Sequence, residues 1–547
     1  MIRLVSRWLT RNAGLTARHD LDVTRGMRVA MGDGVHLLTD VYRPRGISTG
    51  PVVLIRSPYG RVAIGLEMAV PIATQGYHVV LQACRGTGGS EGTFVPQVNE
   101  QGDGLATLEW IRAQSWYDGV IFTYGASYLG YAQWAIARDA GPDVKGMAIQ
   151  ISASHFATMR YAGRSFLLEL SLYWTLLMQR IRTFWGLLRF TVGEYAGRPS
   201  ISAAQWRALP VATIDEAVLR RPVAWWREWL AHPSAEAEPW RATNMTQTLE
   251  DITRPITLVG GWFDIFIPLT LQDFAALHAA GRPVRITVGP WTHTDAEVKR
   301  HALEDALDGF ARWSHGAAEH DEAPVKLFVM GDGWRRFRKW PPPDTVERPW
   351  YLTHDGALVD TAPEHDVPPT AWIYDPANPT PSVGGPKLEV RARPASVDNR
   401  ALESRDDVLC FTSAPLEADL DVIGTPIAEL WVTSNSPIAD VFVRLCRVDE
   451  SGVSRNICDH LERVPVDALG EPQAVRVVLW PTAQRFRRGD RLRIQVSGGA
   501  FPRWVRNPGT ATPWPTSTEL RPSEHVLHHS SAYPSQVLLP IHTAHER

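Results

Sequence analysis

The chain has 547 residues, 44% of them apolar and 21% charged, enough for two or three domains with a substantial core. A net charge of −3 without a long basic run excludes the electrostatic footprint of a nucleic-acid partner. Four widely spread cysteines (Cys84, Cys410, Cys446 and Cys458) form no C-x-x-C pair, which argues for reduced thiols in a cytoplasmic protein rather than a disulfide framework.

The first residues, Met1-Ile-Arg-Leu-Val-Ser-Arg-Trp-Leu-Thr-Arg11, carry basic residues but neither an apolar h-region nor a small-residue cleavage site. They read as a helix packed on its own domain, with a basic amphipathic helix touching a membrane or partner as the rival reading. No apolar run approaches the length of a membrane span. Val23 to Tyr42 alternate apolar and polar around Gly32-Asp-Gly34, the pattern of an antiparallel hairpin. Val52–Ile55 and His78–Gln82 are strands without clean alternation, and such strands with helices between them imply a mostly parallel sheet covered on both faces. Asp103 to Ala113 places Leu105, Leu108 and Ile111 at helical spacing. Further strands follow at Val120–Tyr124, Gly146–Ser152, Ile256–Gly261 and Val284–Pro290.

One stretch interrupts this sheet. His155 to Glu250 reads as helical and holds seven tryptophans (Trp174, Trp185, Trp206, Trp225, Trp226, Trp229 and Trp240). A helical insert of this kind sits as a cap over the C-terminal ends of the strands. After about Ser314, Pro-rich loops separate short alternating strands, among them Lys387–Arg391, Ala428–Thr433, Val441–Cys446, Val475–Leu479 and Arg491–Val496. That spacing predicts a β-sandwich of jelly-roll type. The expected division is therefore 1–154 and 251–314 for one α/β domain, 155–250 for the cap, and 315–547 for the sandwich.

The chemistry centres on Gly125-Ala-Ser127-Tyr-Leu-Gly130. Ser127 lies between an apolar strand and a helix, the setting of a nucleophile elbow, although the spacing is G-x-S-x-x-G rather than G-x-S-x-G. A serine hydroxyl needs a general base, and the base needs an orienting acid. In α/β-hydrolases these follow in the order Ser, acid, His, each at a strand end. Asp264 follows the strand Ile256–Gly261 and His293 follows Val284–Pro290, so three strand ends carry the set in that order. For the oxyanion, the Tyr128 amide is the first candidate donor. No HGGG-type loop supplies the second; Tyr59 in Arg56-Ser-Pro-Tyr59-Gly offers a hydroxyl in its place. Gly86-Thr-Gly-Gly-Ser-Glu-Gly92 lacks the Lys-Ser/Thr of a P-loop and reads as an ordinary loop. His525, His528 and His529 lack a third-ligand pattern and read as an exposed strand of the sandwich, so no metal is expected.

Ser57-Pro-Tyr59-Gly, Arg85-Gly with Ser90-Glu-Gly92, Asp118-Gly119, the Ser127 motif, Gly261-Trp-Phe-Asp264 and Gly289-Pro-Trp-Thr-His293 resemble the CocE/NonD hydrolases, bacterial cocaine-esterase-like enzymes related to X-Pro dipeptidyl-peptidases. Arg488 to Ser497, with Phe501-Pro-Arg and Asn507-Pro, is similar to that family's C-terminal jelly roll. The resemblance implies an α/β-hydrolase domain with an inserted helical cap, plus a C-terminal all-β jelly-roll sandwich. It matches Ser127, Asp264 and His293 to nucleophile, acid and base, and Tyr59 to an oxyanion-hole tyrosine. It also matches Phe266 to a pocket aromatic and Trp174 to a cap tryptophan. One position departs: many members carry an Asp where this chain has Ala83, so Arg85 needs a different partner.

The activity expected is hydrolysis of a small-molecule carboxylic ester, with no metal or organic cofactor, by a monomer or a homodimer. An X-Pro dipeptidyl-peptidase or α-amino ester hydrolase is the nearest rival, and it would need an anionic site for a free amine. The cap acids Glu194, Glu228 and Glu236 are not grouped for that in the sequence. A non-catalytic carbohydrate-binding protein is the remote rival, and it would have no use for an intact Ser-Asp-His set.

Overall fold

The computed structural model describes residues 2–181, 192–193, 200–314, 322–388 and 394–543. Trp185 and Glu194 lie outside the described residues, as does most of the strand expected at Lys387–Arg391.

A ten-stranded sheet organises the first part of the chain. Its strands are β1 (Leu21–Ala30), β2 (His36–Pro44), β3 (Gly50–Ser57), β4 (His78–Ala83), β5 (Tyr117–Ala126), β6 (Val144–Gln150), β7 (Ile256–Phe263), β8 (Val284–Thr292), β9 (Val325–Val329) and β10 (Gly333–Phe337). They lie in the order β1-β2-β4-β3-β5-β6-β7-β8-β9-β10. The run from β4 to β9 is parallel, and antiparallel pairs close both edges. Every residue of β4 and β7 is buried, because helices cover both faces, and that is why these strands lack alternation. The β1–β2 hairpin turns at Gly34, whose φ of +82° suits glycine. It bulges between Thr24 and Met27, where the Gly26 amide donates to Asp40 Oδ1 at 2.8 Å.

The sheet does not stop at Ser314. β9 pairs with β8 in parallel and β10 folds back on β9, so the α/β part runs to Phe337. Met330 then crosses to the sandwich, donating to the Ala483 carbonyl at 2.9 Å and accepting from the Arg485 amide at 2.8 Å. Between β6 and β7 the described residues include helices at Phe156–Arg160, Leu168–Arg180 and Ala224–Ala231 among others. The N-terminal helix Ile2–Asn12 packs on its own domain, Thr10 meeting Thr74 at 3.0 Å, while Trp8 is left 61% exposed.

The C-terminal part is all-β, in antiparallel sheets of nine and four strands. Strand Ile427–Ser434 alternates half-buried and buried along its length, as a sandwich strand should. The histidine-rich strand departs from expectation. Ser523–Leu527 lies between Thr370–Tyr374 and Ile427–Ser434, so it is internal rather than exposed. His525 stacks on Trp372 at 5.1 Å, and His529 is held by Thr370 Oγ1 and the Leu352 carbonyl, each at 2.9 Å. Burial pushes both imidazoles down to about 4, so they are neutral core residues at pH 7.

Candidate active site

Ser127 joins β5 to the helix Tyr128–Trp134 with φ +57° and ψ −124°, a conformation that costs a non-glycine residue about 1–3 kcal/mol. The surroundings hold it there. Its amide donates to the Gln150 carbonyl at 2.9 Å, and its own carbonyl accepts from Ser152 Oγ at 2.7 Å and from the Gly130 amide at 2.9 Å. Both motif glycines are required by close approach. A Cβ on Gly125 would lie 2.5 Å from Leu129 Cβ, and one on Gly130 would lie 2.5 Å from Ser152 Cβ. The second glycine is spaced to meet Ser152 on the next strand's exit, which accounts for the longer G-x-S-x-x-G spacing.

The three strand ends converge. His293 Nε2 lies 3.1 Å from Ser127 Oγ, and His293 Nδ1 lies 2.5 Å from Asp264 Oδ1. An ionised carboxylate only accepts, so Nδ1 bears hydrogen and the neutral ring presents a free Nε2 to the serine. Asp264 is fully buried, and its other oxygen accepts the Phe266 amide at 2.9 Å, which fixes the carboxylate plane.

Tyr59 follows β3 and faces Ser127, with both the Ser127 and Trp174 side chains in contact with its hydroxyl. Burial pushes that hydroxyl up to about 12, so it keeps its proton at neutral pH. Trp174 Nε1–H donates to the Tyr59 oxygen at 3.2 Å, which leaves the phenolic hydrogen free for another acceptor. The Tyr128 amide begins its helix and so has no intrahelical acceptor.

Beneath Tyr128 lies a buried network that no local sequence pattern announces. The Tyr128 hydroxyl donates to Glu100 Oε1 at 2.9 Å and accepts the Gln97 amide at 2.7 Å. Glu100 Oε2 lies 3.0 Å from Arg56 and accepts the Cys84 thiol at 3.5 Å. Burial, with Glu100 beside it, holds the Cys84 thiol well above its usual range, so it is not a nucleophile. Arg85 finds its partners elsewhere than position 83, in Asp103 at 2.6 Å and Asp33 at 2.6 Å.

Phe266 is buried against Phe156 at 4.6 Å and lies 5.8 Å from the His293 ring. Trp174 stacks on Tyr128 at 6.2 Å with 9° between the planes. Both line a cavity of about 40 Å³ that also touches Ser127, Met159, Arg160 and Trp229. Across Trp229 lies a larger groove of about 640 Å³, walled by the 86–98 loop and the cap. Among the described residues there is no cluster of three or more His, Cys, Asp or Glu fit for a metal ion. No described helix is long and apolar enough to cross a membrane.

Residues 33–295 match the family of X-Pro dipeptidyl-peptidase (S15 family), and residues 317–538 match its C-terminal non-catalytic domain. The cocaine esterase of Rhodococcus sp. (strain MB1 Bresler) is 28% identical, over 95% of this chain and 98% of its own length. An aminopeptidase from the marine sediment archaeon Thaumarchaeota archaeon superposes with a TM-score of 0.82 at 22% identity, over 96% of this chain and 97% of that one. A CocE/NonD family hydrolase from Staphylococcus aureus superposes with a TM-score of 0.70 at 18% identity, over 96% and 94%. The chain carries an α/β-hydrolase domain and an all-β C-terminal domain, is an enzyme of the serine hydrolase class, and is similar in its two parts to the X-Pro dipeptidyl-peptidase (S15) family and to that family's C-terminal domain.

Proposed function

We propose that the protein hydrolyses small carboxylic esters through an acyl-enzyme formed on Ser127. The observation that carries this is the hydrogen-bonded run Ser127 Oγ–His293–Asp264, set on a strained turn beside a protonated Tyr59. His293 Nε2 removes the serine proton as Oγ attacks the ester carbonyl. Asp264 holds the ring and stabilises the imidazolium that forms. The carbonyl oxygen, now an anion, takes hydrogen bonds from Tyr59 Oη and the Tyr128 amide. Trp174 keeps the Tyr59 hydrogen pointed inward by occupying its oxygen. His293 then protonates the leaving alcohol, and a water molecule repeats the sequence on the acyl-enzyme.

A second substrate class has to be weighed, since an aminopeptidase and an α-amino acid ester hydrolase share the fold. Recognition of a free amine calls for a carboxylate in the pocket, and none of the described residues lining it is acidic. Glu228 is drawn to His232 at 3.3 Å and Glu236 accepts the Ser234 hydroxyl at 2.5 Å. The Rhodococcus relative, named an esterase, lends further support to esters. The free thiols of all four cysteines favour a reducing, cytoplasmic setting. Turnover of p-nitrophenyl acetate and butyrate, beside a proline p-nitroanilide, tests the assignment. Ester hydrolysis lost in Ser127→Ala with little anilide cleavage is expected; dominant anilide cleavage would move the enzyme to the peptidase branch.

A further inference from the structure

Arg160 ends the short helix Phe156–Arg160 at the start of the cap and is only 4% exposed. Four other buried arginines are matched to carboxylates, Arg56 to Glu100 at 3.0 Å, Arg463 to Asp440 at 2.7 Å, and Arg444 and Arg503 to Asp459 at 2.8 and 2.6 Å, while Arg506 is held by the Pro376 and Arg207 carbonyls at 3.1 and 2.7 Å, away from the Ser127 cavity. Arg160 has no carboxylate partner among the described residues. Its guanidinium lies 3.8 Å over the Trp229 ring, 5.5 Å from the ring centre of Trp240 and 5.8 Å from that of Tyr161.

The Tyr161 hydroxyl accepts a hydrogen bond from Arg160 but is neutral, and the other groups around the guanidinium do not neutralise it either. His155 is pushed down to about 4, by burial first and by the charge of Arg160 second, and so is neutral at pH 7. Glu228, which lines the larger groove beside Trp229, is engaged by His232, and Glu236 is engaged by Ser234. Aromatic faces hold a cation without cancelling its charge, and a buried cation without a counter-ion is costly to keep. Arg160 and Ser127 share the walls of the same 40 Å³ cavity, so the missing anion has a natural source in the substrate.

We propose that Arg160 is the anion-recognition residue of the substrate pocket, and that the preferred substrates are esters whose acyl part bears a second, free carboxylate. Monoesters of short dicarboxylic acids fit this description. The assignment to the acyl part follows from size: the cavity that Arg160 shares with Ser127 and Phe266 is small, whereas the groove across Trp229 has room for the alcohol. The proposal rests on the ester-hydrolase reading of Ser127, and its test separates the two.

Acid release from monoethyl glutarate and from ethyl valerate, which has the same acyl length without the carboxylate, is followed by pH-stat titration. The intact wild-type chain is compared with Arg160→Gln and Arg160→Lys. Wild type is expected to favour the half-ester in kcat/KM by at least about tenfold, because a site built around a charged partner rejects the analogue lacking it. Arg160→Gln should erase that preference, read as the ratio of the two kcat/KM values, and Arg160→Lys should restore part of it. A wild type that hydrolyses ethyl valerate at least as well as the half-ester overturns the anion assignment and leaves the esterase standing. An Arg160→Gln loss shared equally by both esters also overturns it, and hydrolysis of neither ester overturns both readings. Should Arg160→Gln fail to fold, inhibition of wild type decides: glutarate should compete at least about tenfold more tightly than neutral glutaramide, and equal inhibition contradicts the proposal.

Discussion

Two buried charge networks in this molecule are built from the same residue types and do different things. In the β-sandwich, Arg444 and Arg503 converge on Asp459, with Asn399 bound to Arg444 at 2.7 Å. All members of that cluster are at most 3% exposed, and none of them touches a cavity described above. Under the elbow, Arg56 and Glu100 are equally buried, but Glu100 holds the hydroxyl of Tyr128, the residue after the strained Ser127. Buried charge therefore does not mark chemistry by itself. What distinguishes the second network is its attachment to a backbone held at positive φ and to side chains that face open space.

The sharpest way to break the comparison is Ser127→Ala. Turnover should fall by at least about 10⁴-fold, with the fold intact by circular dichroism. In the sandwich the large effect should be on stability instead. Asp459→Asn leaves two buried guanidinium groups under-compensated, and the unfolding free energy should drop by about 3–5 kcal/mol in urea titrations. The turnover number per folded molecule should be unchanged.

Tyr59→Phe removes one proposed donor to the developing oxyanion. It should lower kcat by about 10²–10³-fold with KM close to wild type, measured under steady state. Trp174→Phe leaves Tyr59 in place and removes the indole N–H that orients it, along with part of the ring that packs on Tyr128 and Trp229. One such hydrogen bond is worth about 1 kcal/mol, so a loss of roughly fivefold in kcat is expected.

Another effect concerns pH. Burial raises the Asp273 carboxyl from 3.8 to about 7, and its contacts are the Ser154 amide and hydroxyl, at 2.9 and 2.6 Å. A raised pKa in the fold means that its contribution is fully present below about pH 4 and is lost as pH rises through about 7. Buried His525 and His529, lowered to about 4, act in the opposite sense: their contribution is lost as pH falls below 6.5. The readout is therefore the melting temperature of Asp273→Asn minus that of wild type, which should increase from pH 4 to pH 7.5.

Much of the frame was legible from the residues. Apolar strands without alternation, a hairpin around Gly34, and three strand ends bearing Ser127, Asp264 and His293 are local patterns, and local patterns survive without coordinates. Tyr59 was only weakly legible from its place after an early strand and gained weight through family resemblance, because an aromatic after a Pro turn has no chemical signature of its own. The Arg56–Glu100–Tyr128 network was not legible, since its members are far apart in the chain and meet only across the sheet. The extension of the first sheet to Phe337 was hidden for another reason. Strand β10 alternates half-buried and exposed residues like a sandwich strand, and the change in composition comes before it. The histidine strand misled because two neighbouring strands and Trp372 bury side chains that are polar in the sequence.

The central claim is that the strained Ser127 is the nucleophile. Its most direct test is reaction of the intact protein with diethyl p-nitrophenyl phosphate, followed by peptide mass spectrometry. One equivalent of p-nitrophenolate should be released, with the diethylphosphoryl mass confined to the peptide containing Ser127 and absent from Ser127→Ala. Label on another residue, or full ester turnover persisting in Ser127→Ala, would contradict it.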